Sequence, residues 1–226
     1  MELFRVSTNK PFIGPHQKEQ LLQGGVEPAS AKAAMIMIHG RGANAQSMLP
    51  LANEFSNSDA FTLYAPQAAG YTWYPYSFLA PQDQNQPGLN SGLQAVHDAI
   101  QQAEKDGFSK AQIFLLGFSQ GACLASEYIA RHPETYGGLF VLSGGLIGHE
   151  LRPEWYSGDL AKTPVFIGCS DVDAHIPEQR VHDSARIFEQ LNADVTKVIY
   201  PGMGHTVNQD EIDQINRIIA DRLTSD

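Results

Sequence analysis

Six short apolar runs set the frame of this chain: Met35–Ile38, Phe61–Tyr64, Ile113–Leu116, Leu139–Leu142, Val165–Ile167 and Val195–Tyr200. Most are continuously apolar rather than alternating, which is the pattern of strands covered on both faces. Longer stretches lie between or after them, and helices are predicted at Ala45–Phe55, Leu89–Glu104, Ala122–Arg131, Glu178–Leu191 and Gln209–Leu223. In the last, Ile212, Ile215, Ile219 and Leu223 share one helical face, as do Leu93, Val96, Ile100 and Ala103 in the second. Strands interleaved with helices predict an α/β fold, a mostly parallel central sheet with helices on both faces. Such a sheet binds ligands at the carboxyl ends of its strands. A length of 226 residues suits a single domain spanning 1–226.

The net charge of −10 argues against a nucleic-acid partner and against an anionic membrane surface. No apolar run approaches the ~18 residues that cross a bilayer, so no stable membrane insertion is expected. The start, Met1-Glu2-Leu3-Phe4-Arg5, lacks a basic region followed by an apolar stretch, which points to a cytoplasmic protein. Cys123 and Cys169 have neither C-x-x-C spacing nor a paired histidine and are expected to be small buried residues, so no metal and no cofactor are expected.

Gly117-Phe118-Ser119-Gln120-Gly121 follows the run Ile113–Leu116 and precedes the stretch Ala122–Arg131. A strand, a serine between glycines and a helix form the layout of a nucleophile elbow, in which only small neighbours fit and the hydroxyl is pushed into the open. The same pattern alone also suits a glycine-rich turn whose serine caps a helix. The distinction rests on whether the chain supplies a base, an orienting acid and an oxyanion site, because a serine hydroxyl is a poor nucleophile unassisted. Among eight histidines, His205 lies in the turn between the last strand and the last helix. His39 sits at a strand end inside a glycine-rich loop, His175 and His182 follow a different strand, and His16, His97, His132 and His149 fall outside strand-end loops. An acid that fixes the imidazole should come from another strand end. Asp171 and Asp173 both follow Val165–Ile167, and spacing does not choose between them. The order serine, aspartate, histidine is that of the α/β-hydrolase triad. His39-Gly40-Arg41-Gly42 follows the first run, and its Arg41 N–H, with the N–H of Gln120, is the expected oxyanion hole. Each such donor typically contributes about 3 kcal/mol in a transition state.

One segment breaks the alternation. Residues 66–88 hold no clear helix or strand, yet contain Tyr71, Trp73, Tyr74, Tyr76 and Phe78. A pocket wall or lid is expected there, with Trp73 as a pocket residue.

These motifs resemble the phospholipase/carboxylesterase family of small α/β-hydrolases, which includes acyl-protein thioesterases and bacterial carboxylesterases. The resemblance rests on His39-Gly40-Arg41-Gly42, Gly117-Phe118-Ser119-Gln120-Gly121-Ala122, Asp173-Ala174-His175-Ile176-Pro177 and Gly202-Met203-Gly204-His205, and runs from about residue 33 to the C-terminus. It implies an α/β-hydrolase fold and a serine hydrolase acting on small-molecule esters, thioesters or lysophospholipids as a monomer or homodimer. It also implies Asp173 as the acid, through the D-x-x-V-P pattern with Ile176 in place of Val. The competing readings are a dienelactone-hydrolase-like enzyme, whose nucleophile is usually cysteine, and a catalytically weak ligand-binding protein of the same fold. The chain departs from relatives at Arg41, where an apolar residue is common; a guanidinium there favours polar or anionic substrates, points to solvent or pairs with a surface acid. It departs also in its first 30 or so residues, where an additional edge strand is expected around Leu3–Ser7.

Overall fold

The computed structural model describes residues 6–224. Seven strands form one sheet: β1 (Leu21–Gly25), β2 (Ala33–Ile38), β3 (Phe61–Pro66), β4 (Ile113–Phe118), β5 (Gly138–Leu142), β6 (Pro164–Ser170) and β7 (Asp194–Tyr200). Their spatial order is β1-β3-β2-β4-β5-β6-β7, and all neighbours are parallel except β1, which runs antiparallel to β3. The six expected strands are all present. Five α-helices accompany them: α1 (Ala45–Met48), α2 (Gly88–Lys105), α3 (Gln120–Arg131), α4 (Glu178–Gln190) and α5 (Gln209–Thr224).

The continuous apolar runs are explained by two cores, one on each face. Ile36, Ile38, Leu115, Val141 and Ile167 face α2, α3 and α4. The intervening Met35, Met37, Phe114, Leu116, Phe140 and Phe166 face the other way, toward α1 and α5. A strand with period-2 side chains and a helix layer on each face needs apolar residues at every position. The anticipated helical faces follow the same rule: Leu93, Val96, Ile100 and Ala103 are buried on α2, and Ile212, Ile215 and Ile219 on α5.

Two expectations are corrected. The helix expected over Ala45–Phe55 is α-helical only to Met48 and continues as a 3₁₀ segment over Leu49–Glu54. Pro50 is the cause: it has no N–H to donate, and its ring would meet the carbonyl four residues back. The edge strand expected around Leu3–Ser7 is not found at Val6 and Ser7, while Leu3, Phe4 and Arg5 lie outside the described residues. The extra edge strand is instead β1, paired from Leu21↔Pro66 to Gly25↔Thr62. Among the described residues no helix is long and apolar enough to cross a membrane.

The chain between β3 and α2 contains two short 3₁₀ turns, Ala69–Tyr71 and Gln82–Asn85, and neither an α-helix nor a strand. It crosses the carboxyl ends of β2 and β4, where the loops of the candidate site converge.

Candidate active site

Ser119 stands between β4 and α3 with φ 55° and ψ −119°, a backbone conformation strained for a residue with a side chain. The surroundings impose it. The Ser119 N–H donates to the Leu142 carbonyl of the neighbouring strand at 2.9 Å, and the Ser119 carbonyl accepts the Cys123 N–H at 3.0 Å to start the helix. The flanking glycines have steric reasons. A Cβ on Gly121 would run into the carbonyls of Ile38 and His39, and one on Gly117 into the backbone of Gly121 and Ala122. The elbow is therefore packed backbone against backbone at the end of β2.

His205 lies in the connection from β7 to α5. Its Nε2 is 2.9 Å from Ser119 Oγ, and its Nδ1 is 2.7 Å from Asp173 Oδ2. A carboxylate only accepts, so Nδ1 carries the proton toward Asp173 and Nε2 is left to accept from the serine hydroxyl. The imidazole is flanked by the Phe118 ring, centroids 5.0 Å apart, and by the edge-on His175 ring at 4.8 Å.

The Asp173 carboxylate is buried while His205 is partly exposed. Burial opposes its ionisation, but the hydrogen bond from His205 and those from the N–H groups of His175 (2.8 Å) and Ile176 (3.0 Å) prevail, holding its pKa below the usual carboxylate range. The other aspartate does different work: Asp171 accepts the Gly202 N–H at 2.7 Å, and Ser170 Oγ accepts the Gly204 N–H at 3.0 Å. One end of β6 thus orients the imidazole with Asp173 and fixes the turn that carries it with Ser170 and Asp171. Beneath that turn, Glu211 is fully buried and its Oε1 has no hydrogen-bond partner. Burial pushes its pKa up to about 7, against a hydrogen bond from the Asn208 N–H that favours the charge.

Ser119 and His205 open on a cavity of about 450 Å³, within the range of small-molecule sites. Arg41 and Gln120 line it too. Among the described residues no hydrogen bond engages the backbone N–H of either one. Gln120 opens α3, so its N–H also stands at the positive end of the helix dipole.

The aromatic segment supplies the cavity wall through Tyr74, Pro75, Tyr76 and Phe78. Trp73, expected to be a pocket residue, does not line it. Its side chain is fully buried, its indole N–H donates to the His39 carbonyl at 2.8 Å, and it packs against the rings of His16 and His39. It anchors the wall from behind. The Arg41 side chain is engaged in a way the sequence did not suggest: it bonds the main-chain carbonyls of Tyr74, Pro75 and Tyr76 at 2.9, 2.9 and 2.7 Å.

His16 and His39 frame the same segment as neutral imidazoles. His39 Nε2 accepts the Ala68 N–H and its Nδ1 donates to the Gly40 carbonyl; His16 Nδ1 accepts the Ala69 N–H and its Nε2 donates to the Trp73 carbonyl. Burial lowers the pKa of both. Phe118, Cys123, His175 and Ile176 line the cavity too, and none of them was expected as a pocket residue. All lie inside or beside the quoted motifs, so proximity to Ser119 and Asp173 was the available signal. Both cysteines are buried, and burial pushes each thiol up to about 12. Among the described residues no cluster of three or more His, Cys, Asp or Glu has the arrangement of a metal site.

Comparison with known proteins follows the same line. Residues 26–222 match the family model described as Phospholipase/Carboxylesterase. Acyl-protein thioesterase 1 of Kluyveromyces lactis is 28% identical over 212 residues, covering 85% of this chain and 93% of that protein. A probable carboxylesterase of Oryza sativa subsp. japonica is 26% identical over 219 residues, covering 87% of this chain and 82% of that protein. The crystal structure of a phospholipase/carboxylesterase from Dyadobacter fermentans shares the fold with a TM-score of 0.88 at 44% identity, covering 92% of this chain and 99% of that one.

Proposed function

The chain belongs to the phospholipase/carboxylesterase family of hydrolases, with the α/β-hydrolase fold, and from that premise we propose that it cleaves small carboxylic esters through an acyl-enzyme on Ser119. The observation that carries this reading is the relay from the buried Asp173 carboxylate through His205 to Ser119 Oγ, with links of 2.7 and 2.9 Å, at the opening of the cavity.

In the first half-reaction Ser119 Oγ attacks the ester carbonyl carbon while its proton passes to His205 Nε2. The carbonyl π electrons move to oxygen, and the N–H groups of Arg41 and Gln120 bear that charge. Collapse of the tetrahedral intermediate breaks the bond to the alcohol oxygen, which takes the proton from His205. Water then repeats the sequence on the acyl-serine, releasing the carboxylic acid and restoring the hydroxyl. Asp173 stays ionised throughout, fixing the tautomer and stabilising the imidazolium; its lowered pKa supports that role. Thioesters and lysophospholipids carry the same electrophilic carbonyl and fall under the same chemistry.

Ser119→Ala is expected to reduce hydrolysis of p-nitrophenyl acetate by about 10⁵-fold or more with unchanged circular dichroism. Asp173→Asn should lose about 10⁴-fold, because the amide favours the wrong imidazole tautomer. Asp171→Asn keeps an acceptor for the Gly202 N–H and should lose less than about tenfold. Retained activity in Ser119→Ala, or the reverse order of the two aspartates, would refute the assignment.

A further inference from the structure

Arg41 faces two tasks at once. Its backbone N–H is one of the two oxyanion donors in the reading above, on which this inference rests. Its guanidinium reaches three successive carbonyls of the aromatic segment, Tyr74 and Tyr76 through Nη2 and Pro75 through Nη1. Three peptide carbonyls turned toward one point repel one another, and a planar cation with forked donors relieves that repulsion. The same stretch lines the cavity through Tyr74, Tyr76 and Phe78.

Gln120 makes the matching attachment. Its Oε1 accepts the Trp73 N–H at 2.8 Å, and its Nε2 donates to the Tyr74 carbonyl at 2.9 Å. The Tyr74 carbonyl therefore receives both Arg41 and Gln120. The two residues whose N–H groups are assigned to the oxyanion are the two whose side chains grip the cavity wall.

We propose that Arg41 is a positioning residue that ties the aromatic wall to the oxyanion loop, so that contact of the substrate with the wall sets the alignment of its carbonyl with the N–H donors. Substrate size is then read in the chemical step as well as in binding, because wall contacts made in the transition state raise kcat. The guanidinium is a strut between two loops and does not select for substrate charge.

The test compares Arg41→Met and Arg41→Lys with the unsubstituted chain on two ester series, p-nitrophenyl acetate to octanoate and ethyl to octyl acetate, and on a neutral and an anionic ester of equal length. In Arg41→Met the long-to-short ratio of kcat/KM should collapse by about tenfold or more in at least one series, with much of the loss in kcat. Arg41→Lys, which keeps the charge but not the fork, should fall between the two. Hydrogen exchange gives a second readout that does not require Arg41→Met to fold. In Arg41→Lys the amides of Trp73 and Tyr76, held by Gln120 and Asn85, should exchange faster, while the β4 amides are unchanged. An unchanged size ratio in both series, an equal loss on every ester, a loss confined to the anionic ester, or unchanged exchange at Trp73 and Tyr76 would overturn the inference. A fluorophosphonate probe separates this from the underlying reading. Failure to label Ser119 in the unsubstituted chain sinks both, whereas normal labelling with an unchanged size ratio in Arg41→Met sinks this inference alone.

Discussion

The elbow around Ser119 and the aromatic stretch between β3 and α2 border the same cavity, yet they are held in shape by different means. At the elbow, backbone meets backbone: Gly121 lies against the carbonyls of Ile38 and His39, and Ser119 is bonded to Leu142 of the next strand. Along the aromatic stretch the backbone has no sheet ladder and only two short 3₁₀ turns. Many of its remaining N–H and C=O groups are taken up by side chains from elsewhere, namely His16, His39, Arg41, Asn85 and Gln120. A ladder-held site tolerates almost no change of shape, and a site held by side chains is adjustable one bond at a time. The first suits the proposed nucleophile, whose position would be the same for every substrate, and the second suits the proposed wall, which would adjust to the substrate.

The largest expected break in this contrast comes from the elbow. Gly121→Val drives a branched side chain into two carbonyls that cannot withdraw from β2, and it should destabilise the protein by about 3 kcal/mol or more in urea unfolding. A loss below about 1 kcal/mol would mean that the Ile38 and His39 carbonyls can withdraw from Gly121.

The next effects extend the contrast through pH, because the buried titratable groups behind the His205 turn and behind the aromatic stretch have shifts of opposite sign. Glu211, under the turn that carries His205, has its folded pKa raised to about 7, well above its unfolded value. The folded state then binds the extra proton, and the contribution is lost as pH rises from about 4.5 through 7. Glu211→Gln keeps a capping side chain without the charge and should gain about 2 kcal/mol at pH 8 while staying close to neutral at pH 5. Equal effects at both pH values would contradict the assignment. His16 and His39, which brace the aromatic stretch, have folded pKa values lowered by burial. Their contribution is fully present above the unfolded histidine pKa of about 6.5 and is lost as pH falls below it. In a Trp155→Phe background, leaving Trp73 as the sole indole, its emission should shift to the red on acidification before the far-ultraviolet dichroism of the sheet changes. Simultaneous transitions would show that the stretch has no separate stability.

The sheet-side region was the more legible from sequence, and the reason is the same difference in construction. Continuous runs such as Met35–Ile38 and Phe114–Leu116 have to be apolar at every position because each face is covered, so the pattern exposes the architecture. β1 escaped because Leu21-Leu22-Gln23-Gly24-Gly25 is short, glycine-rich and covered on one edge only. The shortening of α1 does have a sequence signal, Pro50 at the start of the 3₁₀ segment. In the site, chain order singled out Ser119 and His205, but Asp171 and Asp173 are two residues apart in one loop. What separates them is a tertiary contact, the Gly202 N–H turned toward Asp171, to which spacing is blind. The aromatic stretch announced itself by composition alone. Its residue types do not encode that Trp73 faces the core while Tyr74 and Tyr76 line the cavity, or that Arg41 spends its donors on their carbonyls.

In the proposed mechanism Ser119 is a nucleophile activated by His205. Intact-mass and peptide analysis after reaction with a fluorophosphonate tests it most directly. One adduct per chain is expected, located on Ser119, absent in Ser119→Ala and formed far more slowly in His205→Ala. No adduct on the unsubstituted chain, or an adduct on any other residue, would contradict it.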